Sequence, residues 1–224
     1  MLIQRLLTLA FVLGSVLPAA KADTMTFSSS SSLTAQLGAT IFDDYSNPGY
    51  VKAGGGAIGD TVILTDAQMT GVLGETTYTT TGFPDFNEVS PAGTSLATYC
   101  SGCNGSFELG FTQTSVGSSN GVFGAGFDVV IVSLNEYAFV TFGDGSTANY
   151  LLTTGTYFGI TSTLGIKTID VGLINGGTTT SNFAEIDNLT IGGPPVPEPA
   201  GWLLLATVTG MVALLCRNRA FALK

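Results

Sequence analysis

The chain has 224 residues, of which seven are basic, sixteen are acidic and none is histidine. Residues 23–193 hold fifteen Asp and Glu residues against two lysines, a formal charge of −13. This acidity excludes nucleic-acid binding, which depends on lysine and arginine at the phosphates. Without histidine the chain lacks the commonest general base, so Ser-His-Asp and Cys-His catalysis are also excluded.

Residues 1–22 have the pattern of a secretory signal. Arg5 is followed by an apolar run over residues 6–16 and by the small-x-small sequence Ala20-Lys21-Ala22. We therefore predict a signal helix that is cleaved before Asp23. The alternative, a buried N-terminal helix, would have to pack on a domain that shows no helical periodicity of its own.

The middle of the chain has the pattern of short β-strands. Ser28 to Ser32 form a serine tract, which predicts a loop near the mature N-terminus. Apolar residues then alternate with polar ones, or form short apolar runs, in segments bounded by Gly, Asn, Asp or Thr. These segments are residues 107–111, 129–132, 137–142, 169–173 and 183–191. The run at 129–132 is typical of a fully buried strand, and Asp144-Gly145 predicts a type I′ hairpin turn.

No segment of the middle shows the apolar spacing of an amphipathic helix. Short strands joined by glycine-rich turns favour an all-β fold, and we predict an antiparallel two-sheet β-sandwich of jelly-roll type over residues 23–193.

Residues 194–224 form a second targeting segment. The linker Gly192-Gly193-Pro194-Pro195 leads to Val196-Pro197-Glu198-Pro199, and residues 200–216 carry no charge. This run is just long enough for a transmembrane helix. Arg217, Arg219 and Lys224 follow it, so the positive-inside rule places the C-terminus in the cytoplasm and the domain outside.

The order of Val196-Pro197-Glu198-Pro199, apolar span and Arg217/Arg219 resembles the PEP-CTERM sorting tail of Gram-negative bacteria. The resemblance implies an exosortase-type transpeptidase as partner, which would cleave near the Pro-Glu-Pro motif. The protein would then be anchored in the inner membrane only transiently, before its release to the envelope or the extracellular space. A permanent single-pass anchor is the alternative, and it also keeps the domain outside.

A weaker resemblance concerns the second half of the domain. Residues 124–128, 157–161 and 186–189 are similar to segments of lectin-like β-sandwich domains that are common in PEP-CTERM proteins. This resemblance implies a jelly-roll body, and it marks Asp187, in the sequence Ile-Asp-Asn-Leu, as the best single candidate for a metal ligand.

Cys100 and Cys103 are the only cysteines of residues 23–193. A Cys-x-x-Cys pair serves as a redox centre, half of a zinc site or a disulfide loop. Two further nitrogen or sulfur ligands for zinc are missing, and the Ser-Gly and Asn-Gly neighbours are turn formers. We predict a structural disulfide, since export exposes both thiols to oxidation.

The acidic residues between strands are candidate ligands for Ca²⁺, which prefers carboxylate and carbonyl oxygens. They are Asp43, Asp44, Asp60, Asp128, Asp144, Asp170 and Asp187. No EF-hand motif organises them, so most of them are expected to lie in turns or on the surface.

Three functions are compatible with these features. We favour a non-catalytic structural or adhesive protein of the cell surface or matrix, contacting exopolysaccharide through Tyr, Asn and Asp side chains. A calcium-dependent carbohydrate-binding module is the alternative, with Tyr137, Tyr150 and Tyr157 as candidate stacking groups. A glycoside hydrolase is a distant third, because it needs a pair of carboxylates that nothing in the sequence identifies.

Overall fold

The computed structural model describes residues 23–91, 93–94 and 96–196. Antiparallel β-strands dominate this part of the chain, which confirms the predicted all-β class. The predicted signal and transmembrane helices fall in residues 1–22 and 197–224, outside the described residues.

Twelve strands form one hydrogen-bonded sheet. They are β1 (Thr24–Phe27), β2 (Thr40–Asp43), β3 (Val62–Leu64), β4 (Thr77–Thr80), β5 (Asn87–Ser90), β6 (Thr98–Ser101), β7 (Phe107–Gly110), β8 (Val122–Val132), β9 (Tyr137–Phe142), β10 (Thr147–Leu151), β11 (Thr156–Gly172) and β12 (Ala184–Gly192). Three short helices lie between the early strands: α1 (Ser30–Thr34), α2 (Pro48–Ala53) and α3 (Asp66–Leu73). A single 3-10 turn, Ile174–Gly176, follows β11.

The three helices lie in a part of the chain where the sequence shows no helical apolar spacing. The serine tract is not a loop, because most of it belongs to α1. The Ser29 side chain caps this helix by accepting a hydrogen bond from the Ser32 N–H. At α3, Thr65 and Gln68 form a reciprocal capping box, which satisfies two free N–H groups at the helix start. The three helices have eight residues or fewer, too short to show a helical period in the sequence.

Strand β11 belongs to two groups of strands. Its first half pairs with β1 and β8, and β8 continues through β12 to β2 and to β6, β5 and β3. Its second half pairs with β9 and β7, which lead to β10 and β4. The halves meet near Gly165, whose φ of +80° requires glycine at this bend. The sheet is thus continuous through a single long strand.

The predicted hairpin between β9 and β10 is present, but its turn is not type I′. The Gly145 N–H donates to the Phe142 carbonyl, and only Gly145 of the loop has positive φ, at +87°. A type I′ turn would need positive φ at both central residues. Gly145 therefore follows the two central residues of the turn, and its positive φ directs the chain into β10.

One hydrophobic cluster receives side chains from both groups of strands. Val89, Tyr99 and Phe127 come from the first group, and Leu109 and Val140 from the second. The apolar run at 129–132 is not fully buried as predicted, because Val130 and Ile131 are 38% and 42% exposed. Val129 and Val132 contact the cluster, whereas the two residues between them do not.

The N-terminal segment forms a second, smaller apolar cluster on the outer side of the first group. Leu33 of α1, Leu37 and Tyr157 are buried there. Glycine at position 126 makes room for them, since a Cβ there would lie 2.8 Å from Leu33 Cδ2 and 2.5 Å from the Tyr157 hydroxyl. Helix α1 therefore covers this side of the sheet and encloses Tyr157.

Candidate functional site

The outer side of the second group of strands is partly exposed, and we call it the open face. Buried residues alternate along β7, β9 and β11 with partly exposed ones, as expected for a sheet with one face toward solvent. One row of directly opposite residues crosses the five strands on this side. The row consists of Thr79, Glu108, Asp170, Phe139 and Asn149.

Aromatic side chains lie beside this row. Tyr137 and Phe139 are two residues apart on β9, so both project from the open face, and both are partly exposed. The two other candidate stacking tyrosines lie elsewhere. Tyr150 packs against Phe158, with 5.5 Å between ring centroids, and Tyr157 is enclosed beneath α1. Of the three, only Tyr137 is available to a ligand on the open face.

Glu108 and Asp170 form a pair of facing carboxylates. They are opposite residues of β7 and β11, where Cβ atoms lie about 5 Å apart. Burial raises the pKa of Glu108, and burial together with the Glu108 charge raises that of Asp170 to about 7. Among the described residues, no side chain or N–H group donates a hydrogen bond to either carboxylate. The pair is therefore desolvated and repulsive.

Two asparagines close one edge of the open face. The Asn149 amide donates to the Asn175 side-chain oxygen at 2.9 Å, and the Asn175 N–H donates to the Asn149 side-chain oxygen at 2.7 Å. Asn175 has a φ of +62°, a left-handed conformation that asparagine tolerates well. The turn that carries it contacts Phe139 through Gly176.

The predicted metal ligand Asp187 lies in a different group of carboxylates. Asp187 of β12 is directly opposite Asp128 of β8, and Asp43 and Asp44 are near enough to raise its pKa further. We call these four residues the Asp187 cluster. Burial is the largest cause of the shift, and the pKa of Asp187 reaches about 6.

Asn188 bridges the central pair of this cluster. Its side-chain amide donates to Asp128 at 2.8 Å and to Asp187 at 3.2 Å, and its own N–H donates to Asp187 at 2.6 Å. Asn188 lies in a bulge of β12, between Asp187 and Thr190, and has a φ of +54°. The bulge turns the amide toward both carboxylates, so this pair has donors where the Glu108–Asp170 pair has none.

Asp43 is a structural member of the cluster. It is buried, and its carboxylate accepts hydrogen bonds from the Tyr45 N–H at 2.9 Å and from the hydroxyls of Tyr50 and Tyr78. Burial raises its pKa, and these donors partly oppose the shift. A Ca²⁺ ion at this cluster would therefore be bound mainly by Asp128, Asp187 and the partly exposed Asp44.

Two of the other predicted carboxylates join neither group. Asp60 is an exposed turn residue, and Asp144 accepts hydrogen bonds from Ser146 in the β9–β10 loop. Asp170, predicted only as one of several calcium ligands, instead faces Glu108. The facing pair that a hydrolase would need is thus present, but it lies on the open face, outside the clefts lined by Met69 and Tyr78, by Phe123 and Thr163, and by Lys52 and Val72.

Cys100 and Cys103 are joined by a disulfide across a tight loop. The loop residues Gly102 and Cys103 both have positive φ. Glu88 of β5 and Glu185 of β12 are the strand neighbours of Cys100 on its two sides. Glu88 lies within 4.8 Å of both sulfur atoms, but sulfurs bonded to each other are not thiolate ligands, so the loop is a covalent clip.

A cleft of about 450 Å³ lies where the two ends of the described chain meet. Pro194 and Thr163 line it together with Phe123, Ser118 and Asn120. The Asp23 N–H donates to the Thr163 hydroxyl at 3.0 Å, so the first described residue is beside the same cleft.

Of the sorting motif, only Val196 is described, and it is 80% exposed. Pro197, Glu198, Pro199, Arg217 and Arg219 lie outside the described residues. Within residues 23–91, 93–94 and 96–196, no helix is long and apolar enough to cross a membrane.

No family model, curated protein or solved structure matches the chain. An inference about its function has to be drawn from its own residues and their geometry.

The Glu108–Asp170 pair is the main feature that sequence reasoning missed. Alternation at Phe107-Leu109 and at Ile169-Val171 indicates that both carboxylates point away from the core. It does not indicate that β7 and β11 are neighbours, or which residues are opposite. The register supplies that information.

Proposed function

We propose that the chain is an exported protein of the cell surface or extracellular matrix, sorted by an exosortase-type transpeptidase, with a structural or adhesive role and no catalysis. The observation that carries the proposal is the order of the C-terminal segment. Pro197-Glu198-Pro199 precedes seventeen uncharged residues, and Arg217 and Arg219 follow at once. Such a run is just long enough to span a bilayer core, and the arginines favour a cytoplasmic C-terminus.

The positions of the two chain ends support this proposal. Asp23 bonds to Thr163, and Thr163 lines the same cleft as Pro194. A signal peptide before Asp23 and a sorting tail after Pro195 would therefore both leave the domain from the same edge. The domain could then approach the membrane by that edge while the open face and the Asp187 cluster remain accessible.

We further propose that the sheet folds at β11 into the two layers of a jelly-roll sandwich. Leu109 and Val140 from one group of strands and Val89 and Phe127 from the other share a single cluster, which supports two inner faces in contact. The open face and the glycine-lined surface under α1 would then be the two outer faces.

The sorting proposal is tested by moving residues 194–224 to a secreted reporter in the native host. We expect a processed, exported reporter. Replacing Arg217 and Arg219 by Gln, or Glu198 by Gln, should leave the unprocessed form in the membrane fraction, because each change removes one part of the signal. The matched control Asn218→Gln should be processed normally. Unchanged processing in all variants would contradict the proposal.

A second candidate function, a calcium-dependent carbohydrate-binding module, is favoured by the Asp187 cluster. Asp128 and Asp187 face each other with Asp44 nearby, and this gathers the oxygen ligands that Ca²⁺ prefers. Millimolar Ca²⁺ should then raise the melting temperature more than NaCl of equal ionic strength, since a specific ion stabilises by binding the folded form. Asp187→Asn should abolish the difference. Equal gains from the two salts would exclude a specific site.

A further inference from the structure

The open face combines partly exposed aromatic rings with carboxylates that have no hydrogen-bond donor. We propose that this face binds a polysaccharide that carries amino groups, with sugar rings against Tyr137 and Phe139 and ammonium groups at Glu108 and Asp170. The inference rests on the proposed adhesive role of the exported domain, and it names the class of ligand and the surface.

The geometry of the row suits a sugar chain. Tyr137 and Phe139 are two residues apart on one strand, which places their rings roughly 7 Å apart along β9. Phe139, Asp170 and Glu108 are opposite residues of three neighbouring strands, about 5 Å apart from one strand to the next. A ring packed on Phe139 therefore has the carboxylates within reach of its substituents.

The negative charge of the open face favours a ligand with cationic groups. Neither lysine of the described residues lies in the row: Lys52 belongs to α2, and Lys167 acts on the pKa of Asp144 at the β9–β10 loop. With a domain charge of −13, uronate or sulfate sugars are repelled. A neutral sugar would leave the repulsion between Glu108 and Asp170 in place, whereas an ammonium group between the two carboxylates relieves it.

The raised pKa of the carboxylate pair also favours a ligand with ammonium groups. The pKa of Asp170 is about 7 because of burial and the Glu108 charge. A bound ammonium group favours the ionised carboxylates, so binding should release protons from the pair. Ammonium groups also interact favourably with the faces of Tyr and Phe rings.

The test is calorimetric titration of the full chain in mild detergent, at about pH 6, where an amine remains protonated. A glucosamine oligosaccharide is compared with its N-acetylated counterpart, which has the same backbone without the charge. We expect the glucosamine oligosaccharide to bind at least about tenfold more tightly, as lost charged hydrogen bonds would predict. Its binding should weaken at high salt and release protons to the buffer.

Variants locate the binding surface. Combining Glu108→Gln with Asp170→Asn should lower the affinity about tenfold and abolish proton release. These changes remove a repulsion, so the melting temperature should not fall, and weaker binding would not reflect unfolding. Tyr137→Ala should weaken the binding of either oligosaccharide. Asp60→Asn is the matched control, because it removes an exposed charge away from the open face.

Three results would overturn the inference: equal binding of the two oligosaccharides, binding of neither, or an equal loss in Asp60→Asn and in the double variant. The last result would mean unspecific attraction to an acidic protein. A failure here leaves the sorting proposal intact, since that proposal is tested by processing of the tail.

Discussion

Two pairs of carboxylates lie on neighbouring strands in the described part of the chain, and they differ in one respect. Asp128 and Asp187 share the side-chain amide of Asn188, whereas Glu108 and Asp170 have no donor among the described residues. Burial raises the pKa of Asp187 to about 6 and that of Asp170 to about 7. The first pair is stabilised within the fold, and the second needs a proton or a ligand from outside. A cationic group would therefore be stabilised more by the Glu108–Asp170 pair than by the Asp128–Asp187 pair.

The largest expected effect is at Asn188. Asn188→Gly keeps the left-handed backbone but removes the bridging amide, which should lower the free energy of unfolding by about 1–2 kcal/mol. Asn188→Ala also strains the φ of +54° and should cost about 1 kcal/mol more. Chemical denaturation at pH 7 measures both variants. If the Gly variant is as stable as the original chain, the two pairs do not differ as proposed.

A third carboxylate extends the comparison. Glu136 is fully buried, and within the described residues neither of its carboxylate oxygens has a hydrogen-bond partner of good geometry. Burial raises its pKa, and only the nearby Asn182 side chain partly opposes the shift. Glu136→Gln should raise the free energy of unfolding by about 1 kcal/mol at pH 8, because a neutral group is less costly to bury. Glu185→Gln is the control, since that carboxylate already accepts a hydrogen bond from Thr98. A stability loss in Glu136→Gln would show that the buried charge is compensated.

The effect expected at Asp170 is smaller, because this group is only partly buried. Asp170→Asn should raise the free energy of unfolding by about 0.5–1 kcal/mol at pH 8, where the facing carboxylates are both charged. Asp128→Ala, in contrast, should lower it, because Asn188 would lose an acceptor. Changes of opposite sign in the free energy of unfolding, measured in the same denaturation assay, would support the difference between the two pairs. Changes of the same sign would contradict it.

The pH dependence follows from the direction of the shifts. In the folded chain the pKa values of Asp170 and Asp187 are higher than the ordinary value of 3.8. Their contribution to stability is therefore fully present below about pH 4. It is lost as the pH rises through 6 and 7. Glu75, whose pKa is lowered by the Ser115 N–H, acts in the opposite direction at acidic pH. Melting temperatures from pH 4 to 8 should fall less steeply in Asp170→Asn.

Sequence patterns predicted part of this architecture. Alternation identified β7 and its buried face, because side chains on a strand alternate with a period of two. Residues 137–142 were identified as a strand with apolar residues on both faces, so the sequence did not indicate which face of β9 is buried. The helices were missed because capping, rather than periodicity, defines them, although Thr65 and Gln68 carry a readable capping box. The serine tract was misjudged for the same reason.

The candidate sites were less predictable. Asp187 was identified through a resemblance, but its pairing with Asp128 depends on the register of β12 against β8. The Glu108–Asp170 pair joins residues 62 positions apart, on strands whose adjacency is set by the bend in β11. Local patterns contain neither piece of information, because non-local pairing is fixed by packing of the whole sheet.

The central claim, export followed by processing at both ends, is tested most directly by the intact mass of the protein recovered from its native host. We expect a species that begins at Asp23 and lacks the uncharged run of residues 200–216. The cleavage signals proposed for the two ends are of different kinds, so a single mass reports on both proposed events. A species that retains residues 200–224 would contradict the claim and would indicate a permanent membrane anchor.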